Sequence, residues 1–190
     1  MSSLATPVLS GIEELHTVAD LERRCANGER FELVLGRLRE MPPAGGEHGS
    51  ITKRLDTILT VFVYERDLGE CFTAETGFLV TRNPDTVLAP DWAFVRTERL
   101  PTPIPKSFVN LAPDIVLETR SPSETTREVE EKTTLWLEVG VEVVLNLDPG
   151  RSILMVHRRS CEPEFYESDG VLELRELPGL CVPLRATLRW

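Results

Sequence analysis

The stretch from Ile115 to Leu147 most constrains what this chain can fold into. Ile115-Val116-Leu117 is an apolar run of strand length, and Val141 to Leu147 is a second. Between them, Thr125 to Val139 carries a helical pattern that stops at Gly140. Two buried strands joined by a helix make a βαβ crossover, which should be parallel and right-handed.

The flanks add antiparallel pattern. Thr17 and Asp20 form a capping box that opens a helix over Val18 to Ala26, and Asn27-Gly28 ends it. Phe31 to Leu35 alternates at the strand period, and Gly36-Arg37 turns it into Leu38 to Met41, a hairpin. A longer helix spans about Glu47 to Arg66, with His48, Ile51, Leu55, Ile58, Leu59 and Phe62 on one face. Strands are expected over Glu70 to Ala74, Gly77 to Val80 and Val87 to Val95, then at Ser152 to His157. The expected class is α/β, an α+β mixed sheet flanked by helices. The 190 residues suit one domain. Residues 161–190 carry weaker strand pattern and read as a C-terminal strand-rich extension.

Composition excludes several classes. No window holds 18 consecutive apolar residues, so no membrane span is expected. Met1 to Gly11 lacks the basic and apolar regions of a secretory signal and reads as a frayed lead-in. Cys25, Cys71, Cys161 and Cys181 have no zinc spacing and read as buried thiols in a reducing, cytoplasmic compartment. The net charge of −10 opposes a general nucleic-acid coat, since phosphate binding rests on Lys and Arg. It is compatible with carboxylates gathered around a metal. No phosphate-binding loop, dinucleotide fingerprint or G-x-S-x-G setting is present.

Two carboxylates stand in unusual places. Asp91 lies between Pro90 and Trp92-Ala93-Phe94-Val95, and Glu118 directly follows Ile115-Val116-Leu117. An unpaired charge at an apolar strand is costly. Either each caps a strand end or pairs with an arginine such as Arg120, or the two converge as a hard-cation site, for which Mg²⁺ needs only one or two carboxylates. Lys132 falls in the middle of the helical stripe Val129, Leu135, Trp136, Val139. It either snorkels outward or meets a buried anion.

Several segments resemble one family, Uma2. They are Phe31-Glu32-Leu33-Val34-Leu35-Gly36-Arg37-Leu38, Glu47-His48-Gly49, Thr86 to Val95, and Ala112-Pro113-Asp114-Ile115-Val116-Leu117-Glu118. Arg120-Ser121-Pro122-Ser123, Glu131-Lys132, Gly140-Val141 and Leu147-Asp148-Pro149 follow in order, and the resemblance covers about residues 15 to 160. It implies a restriction-endonuclease-like PD-(D/E)XK fold and a Mg²⁺- or Mn²⁺-dependent endonuclease acting on nucleic acid, DNA in the first instance, as a homodimer. It further implies that Asp91, Glu118 and the Thr119 carbonyl hold the metal and that Lys132 takes the lysine role, since position 120 is arginine. His48 matches a family histidine, although on spacing alone a satisfied core histidine is the commoner reading. Glu32 matches a hairpin glutamate that could support the site, although hairpin pairing is the commoner reading. Leu35-Gly36-Arg37, where the family often has Asp-Gly-Glu, and Leu145, where it often has Trp, depart from the pattern.

Overall fold

The computed structural model describes residues 15–188; the lead-in Met1 to Gly11 lies outside them. Helix α1 (Val18–Ala26) is opened by the Thr17–Asp20 capping box, both reciprocal hydrogen bonds being formed. Strands β1 (Phe31–Val34) and β2 (Arg37–Glu40) form the hairpin. Its turn is Leu35-Gly36 and not Gly36-Arg37. Both turn residues have positive φ, 50° and 78°, as a two-residue turn that matches strand twist requires.

Helix α2 (Gly46–Tyr64) is followed by β3 (Gly69–Thr73), β4 (Phe78–Thr81), β5 (Thr86–Leu88) and β6 (Trp92–Arg96). The single strand expected over Val87 to Val95 is therefore two strands, and they lie in different sheets. Ala89-Pro90-Asp91 makes the crossing. Pro90 has no N–H to give to a ladder, so the chain leaves one sheet there and enters the other.

The crossover follows as β7 (Ile115–Thr119), α3 (Thr126–Glu138) and β8 (Val143–Asp148), with β7 and β8 parallel. A second capping box, Thr125 with Glu128, opens α3. The chain finishes with β9 (Ile153–Arg158), β10 (Glu164–Glu167), β11 (Val171–Leu172), β12 (Val182–Pro183) and the short α4 (Leu184–Thr187). The main sheet is mixed, in the order β10-β9-β8-β7-β6-β3, and a smaller sheet has the order β2-β1-β5-β4.

Side chains alternate across the main sheet. Ile115, Leu117, Leu145 and Leu147 pack against Ile51, Leu55 and Leu59 of α2. Val116 and Val144 face the other way, onto Trp136 of α3, and Phe78 and Leu88 of the small sheet join them there. That second face carries the smaller sheet beside α3, which brings β1 toward the helix.

The C-terminal segment is part of the α2-side core. Leu172, Leu174, Leu177, Leu180 and Leu184 are buried in the same cluster as Ile51 and Leu55. Leu184→Ala is therefore expected to cost about 2–5 kcal/mol, the usual range for a buried leucine truncated to alanine. Urea unfolding checks this; a loss below about 0.5 kcal/mol would mean the segment is an appendage.

The cysteines are free thiols, but Cys25, Cys161 and Cys181 are exposed rather than buried. Cys25 sits in the last turn of α1, and the other two lie in connections outside any strand. Cys71 is half-buried, and burial pushes its thiol up to about 12. Among the described residues no helix is long and apolar enough to cross a membrane.

Candidate active site

Strand alternation divides the site at the C-terminal end of β7. Glu118 points to the α3 face and Thr119 to the α2 face, while Asp91 enters at the rim from the chain crossing before β6. The Asp91 N–H donates to the Leu117 carbonyl at 3.0 Å, extending the β6–β7 pairing by one residue. Its side chain then turns back, and Asp91 Oδ2 accepts the Thr119 N–H at 2.7 Å. Asp91 thus caps the last amide of β7, and Leu117, Glu118 and Thr119 are held in register with it.

On the α3 face, Lys132 lies between two carboxylates. Its Nζ is 3.0 Å from Glu118 and 3.2 Å from Glu32 Oε1. Glu32 is only 3% exposed and also accepts the Ala89 N–H at 2.9 Å. The hairpin glutamate is therefore an inward residue of the site, tied both to the helix and to the crossing that carries Asp91. Glu118 Oε1 accepts the Trp136 indole N–H at 2.7 Å. Burial pushes the Glu118 carboxyl up to about 7, with the Lys132 ammonium opposing and the Asp91 and Glu32 charges adding. For Lys132, burial alone would favour the neutral amine. The Glu118 and Glu32 charges outweigh it and hold the ammonium above its usual range.

On the α2 face, His48 Nε2 is 2.8 Å from the Thr119 carbonyl oxygen and 3.4 Å from Asp91 Oδ2. A carbonyl only accepts, so Nε2 carries the proton. The Asp91 carboxylate raises the His48 pKa, against the opposing effect of burial. Thr52 is one turn further along α2. Its hydroxyl donates to the His48 carbonyl at 2.7 Å and is hydrogen-bonded to Thr119 Oγ1 at 2.7 Å, which pins the α2 face of β7.

All five residues singled out in the sequence thus meet around one strand end: Asp91, Glu118 and Lys132 at the centre, His48 and Glu32 on either side. Sequence reasoning did not single out Trp136 and Thr52 for the site. Each lies four residues after a candidate, Lys132 or His48, so the i,i+4 rule on a helix would have pointed to them. Arg120 is turned away from Glu118, donating to Asp148 Oδ2 and to the Glu124 carbonyl. Among the described residues, no three His, Cys, Asp or Glu side chains converge as a ready-made metal cage. A cavity of about 520 Å³ opens beside Glu118 and Lys132, between α3 and strands β8 to β10.

Comparison with known proteins gives a consistent picture. The model of the Uma2 family, described as "Putative restriction endonuclease", matches residues 18–186. Among solved structures, the crystal structure of a "putative nuclease belonging to DUF820" from Anabaena variabilis ATCC 29413 superposes with a TM-score of 0.78. It is 19% identical, and the match covers 90% of this chain and 97% of that one. The fold is therefore restriction-endonuclease-like. No curated protein matches the chain.

Proposed function

The chain belongs to the Uma2 family, and from that premise we propose that it is a divalent-metal-dependent endonuclease that hydrolyses phosphodiester bonds of nucleic acid, with DNA as the first substrate to test. The observation that carries this reading is the convergence of Asp91, Glu118 and Lys132 at one strand end beside an open cavity.

The residues present fit Mg²⁺ or Mn²⁺. The Thr119 carbonyl oxygen and Asp91 Oδ2 both lie around the polarised His48 N–H, so this oxygen pair already holds a partial positive charge. Asp91 and the Thr119 carbonyl, with Glu118, would hold the ion; waters and substrate phosphate complete such a shell, so a three-side-chain cage is not required. When bound, the ion supplies a lowered water pKa and neutralises charge on the phosphodiester.

The chain's own groups do the rest. Lys132, held protonated, is suited to stabilise charge developing on the phosphate and unsuited to accept a proton from water. Glu32 positions Lys132 through the bond at 3.2 Å. His48 orients the Asp91 carboxylate and the Thr119 carbonyl. A homodimer, which would present two sites to two strands, and a cytoplasmic location belong to the same proposal.

The rival is a non-catalytic module that keeps the fold. Two observations favour it: the net charge of −10, and the engagement of Glu118 by both Lys132 and Trp136. Nicking of supercoiled plasmid in Mg²⁺ or Mn²⁺ separates the two. Wild type should cleave, and Asp91→Ala and Lys132→Ala should not; equal activity in all three would remove the site assignment.

A further inference from the structure

The cavity beside Glu118 has chemistry that the proposed hydrolysis leaves unused. At about 520 Å³ it is in the range that encloses a nucleotide-sized ligand. Its floor is a row set by strand register: Glu118 opposes Asn146, Asn146 opposes Met155, and Met155 opposes Phe165. Residues directly opposed on neighbouring strands share a face. The row therefore crosses four strands, and at the usual strand spacing Phe165 lies roughly 14 Å from Glu118. Val129, Thr133 and Leu137 of α3 form the facing wall.

The lining changes character along this row. A carboxylate and an ammonium stand at one end, an amide follows, and a thioether and a phenyl ring stand at the other. Phe165 is 62% exposed, on an edge strand, and belongs to no core cluster. His157 also lines the cavity, and its Nε2 is buried with no hydrogen-bond partner among the described residues. Burial lowers the pKa of this imidazole. Arg151 lines the cavity as well, and its guanidinium makes no ion pair among the described residues.

We propose that this cavity is a base-binding subsite, which takes one unpaired nucleobase of the strand whose phosphate lies at Glu118 and Lys132. The proposal rests on the nuclease reading and deepens it by naming the substrate class. A duplex cannot enter a space of this size, so the base comes from a single strand or is extruded from a duplex. Phe165 stacks on the base. Arg151 meets a neighbouring phosphate, while the buried His157 Nε2 and the Asn146 amide, which donates to Thr133 Oγ1 at 2.6 Å, close the polar side of the cavity. Single strands, and duplexes with an unpaired nucleotide, are then preferred over fully paired DNA.

The test uses a short deoxythymidine oligonucleotide carrying one 2-aminopurine. Binding is followed by fluorescence with Ca²⁺ in place of Mg²⁺, for wild type, Phe165→Ala and Phe165→Trp. Plasmid and oligonucleotide cleavage in Mg²⁺ and sedimentation are run beside it. Wild type should quench the 2-aminopurine on binding. Phe165→Ala should bind about tenfold more weakly and lose the quench, and Phe165→Trp should restore both. If wild type cleaves plasmid but shows no quench, or Phe165→Ala behaves as wild type, the subsite is overturned and the nuclease reading stands. If wild type neither cleaves nor binds, both fall together. If Phe165→Ala converts a dimer to a monomer while binding is unchanged, the row is a contact between copies and the subsite is overturned.

Discussion

Asp91→Asn is expected to lower Mg²⁺-dependent cleavage by about 10³-fold while leaving the fold intact. Asparagine keeps a carbonyl oxygen at the position where Asp91 Oδ2 accepts the Thr119 N–H at 2.7 Å. The cap on β7 therefore survives. What is lost is the formal charge, and with it the part proposed for the carboxylate in holding a cation and the ion pair with His48 at 3.4 Å. Stabilisation of several kcal/mol supplied by a bound ion corresponds to about three decades in rate. Mn²⁺ titration calorimetry and plasmid cleavage measure the two consequences separately. An unfolding midpoint close to wild type is part of the expectation. Undiminished Mn²⁺ binding in the variant would show that Asp91 is only a strand cap.

Lys132→Met should produce the largest loss of stability of any substitution at the site, and the loss should depend on pH. Methionine preserves most of the stem but leaves Glu118 and Glu32 without their cation, and both side chains are largely buried. Breaking a buried charge pair by removing one partner typically costs about 3–5 kcal/mol. The sign of the pH dependence follows from Glu118. Its carboxyl is pushed up to about 7 in the folded protein, chiefly by burial, against an ordinary 4.5. The folded state then holds a proton that the unfolded state releases, so this contribution is present below about 4.5 and lost as pH rises through about 7. Without Lys132 the Glu118 carboxyl is pushed up further, because the ammonium that opposed its burial is gone. The variant's deficit should be larger at pH 8 than at pH 5, where the Glu118 carboxyl takes a proton and no longer needs a cation. Urea unfolding at the two pH values reads this directly. An equal deficit at both would assign the effect to lost packing of the lysine stem. Cleavage should be lost at either pH, because the ammonium itself is missing.

Much of this protein is local and could be read from the chain. Both capping boxes, the amphipathic face of α2 and the strand–helix–strand order around α3 depend on residues within a few positions of one another, where helical and strand periods fix which side chains share a face. The oddity of Asp91, Glu118 and Lys132 was legible for the same reason. Each puts a charge where its own local pattern calls for an apolar residue. Family resemblance then supplied the roles of His48 and Glu32, for which spacing alone favoured other readings.

What the tertiary structure decided is non-local. The chain from Val87 to Val95 reads as one strand, yet the small sheet takes its start and the main sheet its end, and Asp91 owes its place at the rim to that division. Glu32 becomes a buried partner of Lys132 only because the small sheet packs beside α3. Its bond to Ala89 spans 57 residues, and that of His48 to Thr119 spans 71. The leucines after residue 170 complete the α2-side core although their own pattern is weak. The sequence by itself determined which residues were out of place for a simple core. Only strand register and the stacking of two sheets against α3 determined that they meet, because such contacts are set by the packing of distant segments and leave no local period behind.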